Sequence, residues 1–394
     1  MMCFLKFCLL LDGLSKDKRC LVKILLVANT LWSVYNFRKG LIKSLIEKGY
    51  DVTIVAPEDD HLEKIVDLGC KFKSISVSSQ GKNPLKDLML LFKLIKIYKK
   101  IKPDFIFHYT IKLNIYGSIA AGITNCKSIA VTTGLGFVFN KETLLTKFIT
   151  QLYAFSFRFA KEVWFLNEDD RNVFLRKRII NESKSFILAS EGVDTSYFTP
   201  SQVSCKTKYN DNVTFLLIAR MLWEKGIGVY IDAANIIKSE FPGIRFQLLG
   251  ACDSQNPGAI TRQEIENWQI KGIIEYLGVE SDVRPHIISA DCIVLPSFYR
   301  EGVPRVLMEA SSMCKPIITT NNVGCKDVVV DGETGYLCNV RDYIGLANVM
   351  RKFIELTPQE RETMGKKGRD YIIKNFDERK IIKIYHDTLT KYIS

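Results

Sequence analysis

The stretch Cys292-Ile-Val-Leu-Pro-Ser-Phe-Tyr-Arg-Glu-Gly-Val-Pro-Arg-Val-Leu-Met-Glu-Ala310 changes character twice over its length. Cys292–Leu295 is wholly apolar and reads as a short buried strand. Pro296 stops it, a loop holding Gly302 follows, and Pro304 suits the first turn of a helix, where a missing N–H costs nothing. Glu301 then stands just before a helix N-terminus. Glu309 lies a little over two turns further on, so the two can share a face. The N–H groups around Gly302 and Val303 have no partner within such a helix and would suit an anion. Two glutamates at this spacing are ordinarily solvated surface groups. The unit that carries them, strand then loop then helix, is nevertheless the building block of a parallel α/β sheet.

Outward from this stretch the same alternation runs in two series. In the second half, strands are expected at Val213–Ala219, Arg245–Leu249, Ile274–Leu277, Cys292–Leu295 and Ile317–Thr320, with helices between them. In the first half they are expected at Val22–Ala28, Asp51–Ala56, Phe72–Val77, Asp104–Tyr109, Ser128–Thr132, Glu162–Leu166 and Phe186–Ala189. A loop from Asn29 to Asn36 is expected before a helix that ends at Gly49, a suitable C′ glycine. The polar stretch 201–212 is the best linker candidate. The pattern predicts an amino-terminal extension over 1–20, one α/β domain over 21–200 and a second over 201–377. Ligands in such sheets bind beyond the carboxyl ends of the strands.

The chain has 394 residues, long for one core, with 47% hydrophobic and 25% charged residues, as in a soluble globular protein. No apolar run approaches the ~18 residues that cross a bilayer. The eleven cysteines include no Cys-x-x-Cys pair, which favours reduced thiols and a cytoplasmic setting over disulfides or zinc. A net charge of +12 implies anionic partners: nucleic acid, an acidic membrane surface or phosphorylated substrates. No nucleic-acid-binding module appears, and the basic residues are dispersed. No Asp-x-Asp triplet and no Gly-x-Gly-x-x-Gly occurs, so neither a divalent-metal clamp nor a dinucleotide cofactor is expected.

Glu301-Gly-Val-Pro304 and the second glutamate at 309 resemble the Glu, seven residues, Glu signature of the retaining glycosyltransferases of sequence family four. The resemblance runs from about Leu21 onward and implies the GT-B fold, two Rossmann-like domains facing a crevice. It implies that residues 21–200 bind the acceptor and 201–377 the nucleotide sugar. A final helix, about 378–394, would cross back to the first domain. It implies that Glu301 contacts the transferred sugar and Glu309 the ribose, and that Gly302, Val303 and Pro304 offer backbone to sugar and phosphates. Arg220 and Lys225 follow the strand Val213–Ala219 at its carboxyl edge. Cations there suit a diphosphate, and they match the family's phosphate-clamping pair. No metal or other cofactor is implied.

In the first half, His108 ends the strand Asp104–Tyr109. A lone histidine is often structural, but the family often has one facing the donor sugar from this region, so His108 is a catalytic candidate. The segment His108-Tyr-Thr-Ile-Lys112-Leu-Asn114 is similar to a signature of the subgroup that extends polyprenyl-diphosphate-linked glycans. Lys112 and Asn114 are then acceptor candidates. The first loop departs from the family's Gly-rich turn, offering Trp32, Tyr35, Asn36 and Arg38, so Tyr35, Asn36 and Arg38 join that list.

The segment 82–102 combines an apolar stripe with many lysines. Most such helices pack their stripe on the core, while some lie on anionic membranes. The expectation is a peripheral enzyme on the cytoplasmic membrane's inner face. It would move a hexose or N-acetylhexosamine from a UDP-sugar to a lipid-linked glycan, as in surface polysaccharide, capsule or lipopolysaccharide assembly. The alternatives are a nucleotide-sugar epimerase or hydrolase, and a non-catalytic glycan- or lipid-binding protein.

Overall fold

The computed structural model describes residues 21–77, 84–135, 144–200, 213–252 and 256–393. The expected extension 1–20 and the linker 201–212 lie outside the described residues.

The first half runs β1 (Lys23–Val27), α1 (Leu31–Glu47), β2 (Asp51–Ala56), α2 (Leu62–Asp67), β3 (Lys71–Ser74) and α3 (Pro84–Ile101). It continues with β4 (Phe105–Tyr109), α4 (Ile111–Ile123), β5 (Lys127–Thr132), α5 (Leu144–Ser156), β6 (Glu162–Phe165), α6 (Glu168–Arg176) and β7 (Ser185–Ile187). Its seven strands form one sheet in the order β3-β2-β1-β4-β5-β6-β7, with every pairing parallel.

The second half runs β8 (Thr214–Ile218), α7 (Ile227–Glu240), β9 (Arg245–Leu249), α8 (Arg262–Ile270), β10 (Glu275–Tyr276), α9 (Arg284–Ser289) and β11 (Cys292–Leu295). Then come α10 (Arg305–Ser312), β12 (Ile317–Thr320), β13 (Gly335–Cys338), α11 (Tyr343–Glu355), α12 (Pro358–Phe376) and α13 (Glu378–Ile393). The six-stranded sheet has the order β10-β9-β8-β11-β12-β13 and is again parallel. The architecture is therefore the expected pair of Rossmann-like domains.

Helices cover both faces of each sheet, so the central strands are apolar throughout. Ile24 to Val27 are wholly buried, and successive side chains feed opposite cores. In β4, Phe105, Phe107 and Tyr109 pack with α1 and α13, while Ile106 joins α3 and α4. Strand order reverses between β1 and β4 and between β8 and β11, and each reversal opens a crevice at the carboxyl edge. The chain returns to the first half at its end. Val193 and Glu378 exchange backbone bonds with Phe376 and Val193, and Ile381, Tyr385 and Leu389 of α13 enter the first core.

Two expectations change. The segment 31–36 is not a loop but the first turns of α1. Thr30 caps Ser33, and Asp59, far off in sequence beyond β2, accepts from the N–H groups of Leu31 and Trp32 at 2.8 and 3.0 Å. That distant carboxylate adds to the local Thr30 cap and takes up two N–H groups that Thr30 does not reach. The second addition is β13. Its Gly335 lets it lie close on β12, since a Cβ there would come 2.0 Å from the Ile317 carbonyl oxygen.

Candidate active site

Beyond β8, Arg220 is exposed and a single 3₁₀ turn, Trp223–Lys225, leads to Gly226. Gly226 has φ +79°, and a Cβ on it would lie 2.0 Å from the Pro296 carbonyl oxygen. Only glycine lets this turn press against the end of β11. The result brings Lys225 to the loop that follows β11, where its Nζ donates to Glu301 Oε1 at 2.5 Å. Ser297 Oγ donates to the same oxygen at 3.0 Å, and Phe298 and Tyr299 donate their N–H groups to the Glu224 carbonyl. Glu301 is 9% exposed, and the Lys225 ammonium also lies 5.6 Å from the Tyr299 ring centroid. Burial raises the Glu224 carboxyl above its usual range while Lys225 and Arg220 pull it back, so all three share one field.

The loop is clasped by the first half. Asn167, which caps α6, donates to the Gly302 carbonyl at 2.9 Å, and Arg300 Nε donates to Asp170 at 2.6 Å. Lys326 reaches Asp169 at 2.8 Å. A Cβ on Gly302 would meet the Thr133 carbonyl oxygen at 2.5 Å, so this contact too requires glycine. Val303 packs against the cores of both halves. Pro304 is the N-cap of α10, in extended conformation, one step earlier than a first-turn position.

Glu309 takes its partner from its own helix. Its Oε1 accepts from Arg305 Nε one turn back at 2.9 Å. Burial raises its carboxyl above the usual range and Arg305 opposes that. Arg305 also sits 5.4 Å from the Phe37 ring of α1, across the crevice.

The first half behaves differently. His108 is wholly buried, bonded through Nε2 to the Tyr98 hydroxyl at 2.9 Å. A Cβ on Gly117 would come 2.4 Å from its ring. Burial pushes the imidazole down to about 3. The expectation that His108 faces the donor sugar is therefore corrected: strand alternation turns it beneath α3 and α4, on the side of Ile106, away from the crevice. Asn114 is 1% exposed and donates to the Val131 carbonyl at 3.0 Å, which makes it a tie between α4 and β5. Lys112 pairs with Asp87 of α3 at 2.7 Å. Arg38 is buried, paired with Glu191 and stacked 3.6 Å from the Tyr109 ring centroid. As direct acceptor ligands Arg38 and Asn114 are thus corrected as well. Tyr35 stays partly exposed, with the ammonium groups of Lys39 and Lys64 at 5.2 and 5.5 Å from its ring. Asn36 folds back onto the Trp32 carbonyl at 2.9 Å.

Sequence reasoning passed over Glu224, Ser297, Asn167 and Arg305. Arg305 was legible as a cation four residues before Glu309. Asn167 could have been found as an N-cap residue directly after an apolar run.

Residues 202–371 match the family described as glycosyl transferases group 1, and residues 23–167 match glycosyl transferase 4-like. An N,N'-diacetylbacillosaminyl-diphospho-undecaprenol alpha-1,3-N-acetylgalactosaminyltransferase of Campylobacter jejuni is 30% identical over 82% of this chain and 87% of its own. A capsular polysaccharide biosynthesis glycosyltransferase of Staphylococcus aureus is 26% identical over 86% and 90%. A solved glycosyltransferase of Rickettsia africae superposes with a TM-score of 0.76 at 20% identity, over 95% of this chain and 99% of its own. An Anabaena protein, HepE, solved with UDP superposes at 0.77 and 17% identity, over 94% and 100%.

Proposed function

The chain belongs to the group 1 glycosyl transferases, and from that premise we propose that it moves a sugar from a UDP-sugar to a lipid-linked glycan with retention of configuration. The observation that carries the reading is the ion pair of Lys225 with Glu301 beside Arg220, at the carboxyl edge where the second sheet reverses. Two cations and a buried carboxylate at such an edge suit a sugar diphosphate. The name of the Campylobacter relative supports an undecaprenol-linked acceptor and an N-acetylhexosamine donor.

In this reading Arg220 and Lys225 neutralise the diphosphate as it departs, which is where charge grows in the transition state. Glu301 holds hydroxyls of the transferred sugar, and Glu309, held in place by Arg305, accepts from the ribose hydroxyls. The backbone of Gly302, Val303 and Pro304 faces the sugar and phosphates. The acceptor oxygen bonds to the anomeric carbon as the bond from that carbon to the diphosphate breaks. The acceptor's hydroxyl proton passes to the diphosphate oxygen on the same face, so configuration is kept and no enzyme nucleophile is used. Tyr35 and Asn36 border the acceptor side, while Lys112, Asn114 and Arg38 position the elements that line it. Among the described residues no helix is long and apolar enough to cross a membrane, so a peripheral enzyme meeting its acceptor at the bilayer surface fits this reading.

The test is UDP release from UDP-N-acetylhexosamines, with and without an undecaprenyl-diphosphate-linked saccharide. Acceptor-dependent release with an axial product linkage is expected. Donor consumption without acceptor would favour an epimerase or hydrolase. A thermal midpoint unmoved by any nucleotide would favour a non-catalytic binder. Glu309→Ala should raise the donor KM about tenfold, the value of one good hydrogen-bonding contact to a charged group. Full activity in that variant would overturn the ribose assignment.

A further inference from the structure

The helix α3 has two apolar faces, and the sheet uses only one of them. Leu90, Leu94, Ile97 and Tyr98 are buried against the strands. Leu85, Leu88, Met89 and Phe92, at a spacing that puts them on one side of the helix, are exposed, by 70% at Leu85, 54% at Met89 and 62% at Phe92. The helix carries one acidic residue, Asp87, and α4 takes it up: Lys112 at 2.7 Å and the Tyr116 hydroxyl at 3.2 Å. Its outward charges are therefore all lysine, with Lys93 and Lys96 exposed next to the apolar side chains.

The topology says where this face points. In a parallel sheet each helix runs back against the strands, so its N-terminal end lies at the carboxyl edge. The apolar residues of α3 fall in its N-terminal half and thus lie at the edge where the crevice opens. In α5, Phe148 is 61% exposed in the same N-terminal position, with Lys147 exposed beside it. A groove lined by Thr146, Lys147, Thr150, Gln151 and Lys177 opens next to it. Leu91 ties the two regions by packing into the core that α4 and α5 share.

We propose that this corner of the first half seats on an anionic lipid bilayer. Leu85, Leu88, Met89, Phe92 and Phe148 enter the acyl boundary, and Lys93, Lys96 and Lys147 meet headgroup phosphates. Exposed apolar side chains rimmed by cations match such a surface. A second copy of the chain does not match, because each copy carries a net charge of +12 and would present the same lysine rim. The purpose of the seat, holding the crevice mouth at the lipid surface, rests on the reading of a lipid-linked acceptor. The seat itself does not.

The experiment is co-sedimentation of the full chain with vesicles of phosphatidylglycerol and phosphatidylcholine, and with phosphatidylcholine alone. The chain should bind the anionic vesicles, and Phe92→Asp and Phe148→Asp should each weaken binding by about tenfold or more. Phe159→Asp removes an exposed aromatic just before β6, at the opposite edge, and should change binding less than about twofold. Both seat variants should keep wild-type kcat on an acceptor with a short, water-soluble prenyl chain. No binding by the wild type, or undiminished binding by Phe92→Asp, overturns the proposal. So does a wild-type dimer that Phe92→Asp dissociates. If vesicles bind as expected but neither acceptor is glycosylated, the transferase reading fails and the seat stands.

Discussion

The two halves of the molecule offer the same edge to the same crevice and furnish it differently. Around the β8/β11 reversal, Arg220, Lys225, Glu224 and Glu301 form one charged group pressed up by glycine contacts. Around the β1/β4 reversal, four polar residues of the corresponding segments are consumed by the fold. His108 is bonded to Tyr98, Asn114 to Val131, Lys112 to Asp87 and Arg38 to Glu191. Chemistry in this architecture sits in the loops after the strands, whose backbone reaches the crevice directly. A side chain on the last strand residue reaches it only when its parity allows.

The largest expected effect tests the charged edge. Lys225→Ala should lower kcat by about 10²- to 10³-fold, the usual loss when one donor aimed at developing charge is removed. The readout is steady-state UDP release, with the thermal midpoint measured alongside, since Glu301 loses its ion pair in this variant. A kcat within about twofold of wild type would make the second edge as structural as the first and remove the comparison.

His108 tests the other side. His108→Ala should leave kcat nearly unchanged at permissive temperature. It should destabilise the chain by about 2–4 kcal/mol, through a cavity and an unpaired Tyr98 hydroxyl. There is also a pH signature. Burial holds the folded-state imidazole at about 3 against an ordinary 6.5, so the folded chain binds fewer protons than the unfolded one between those values. Stability should therefore fall as pH drops below about 6.5, and urea unfolding of His108→Phe should lose that part of the slope. A kcat that collapses while stability holds would return His108 to the crevice.

What the sequence discloses follows the range of the forces involved. The unit around Glu301 is legible because strand, proline, loop and helix start are all local signals. Gly226 and Gly302 stand where close backbone approach demands them, but the carbonyl oxygens they make room for, those of Pro296 and Thr133, are distant in sequence. The start of α1 is marked locally by Thr30 alone, since Asp59 supplies the rest of its cap from beyond β2. His108 misled because its place along the strand was readable and its side of the strand was not. The strand β13 is short and holds only one fully apolar position between its ends besides Tyr336, so periodicity hardly marks it. Glu309 was assigned by resemblance alone, and that concealed the plain four-residue spacing to Arg305.

The smallest effect decides how far the first edge is spent. Lys112 pairs with Asp87, and its side chain is 23% exposed, so part of its charge still meets solvent. Lys112→Met should cost about 0.2–1 kcal/mol, as partly exposed ion pairs do, and should leave the acceptor KM within about twofold. The same substitution also frees Asp87 on α3, which adds one negative charge near the lysine-rimmed face and should weaken binding to anionic vesicles slightly. A tenfold rise in acceptor KM at unchanged stability would mean that Lys112 leaves Asp87 to hold the acceptor diphosphate. In that case the two edges differ in timing rather than in kind. The second edge would be arranged before ligand arrives, and the first only as its internal pair opens.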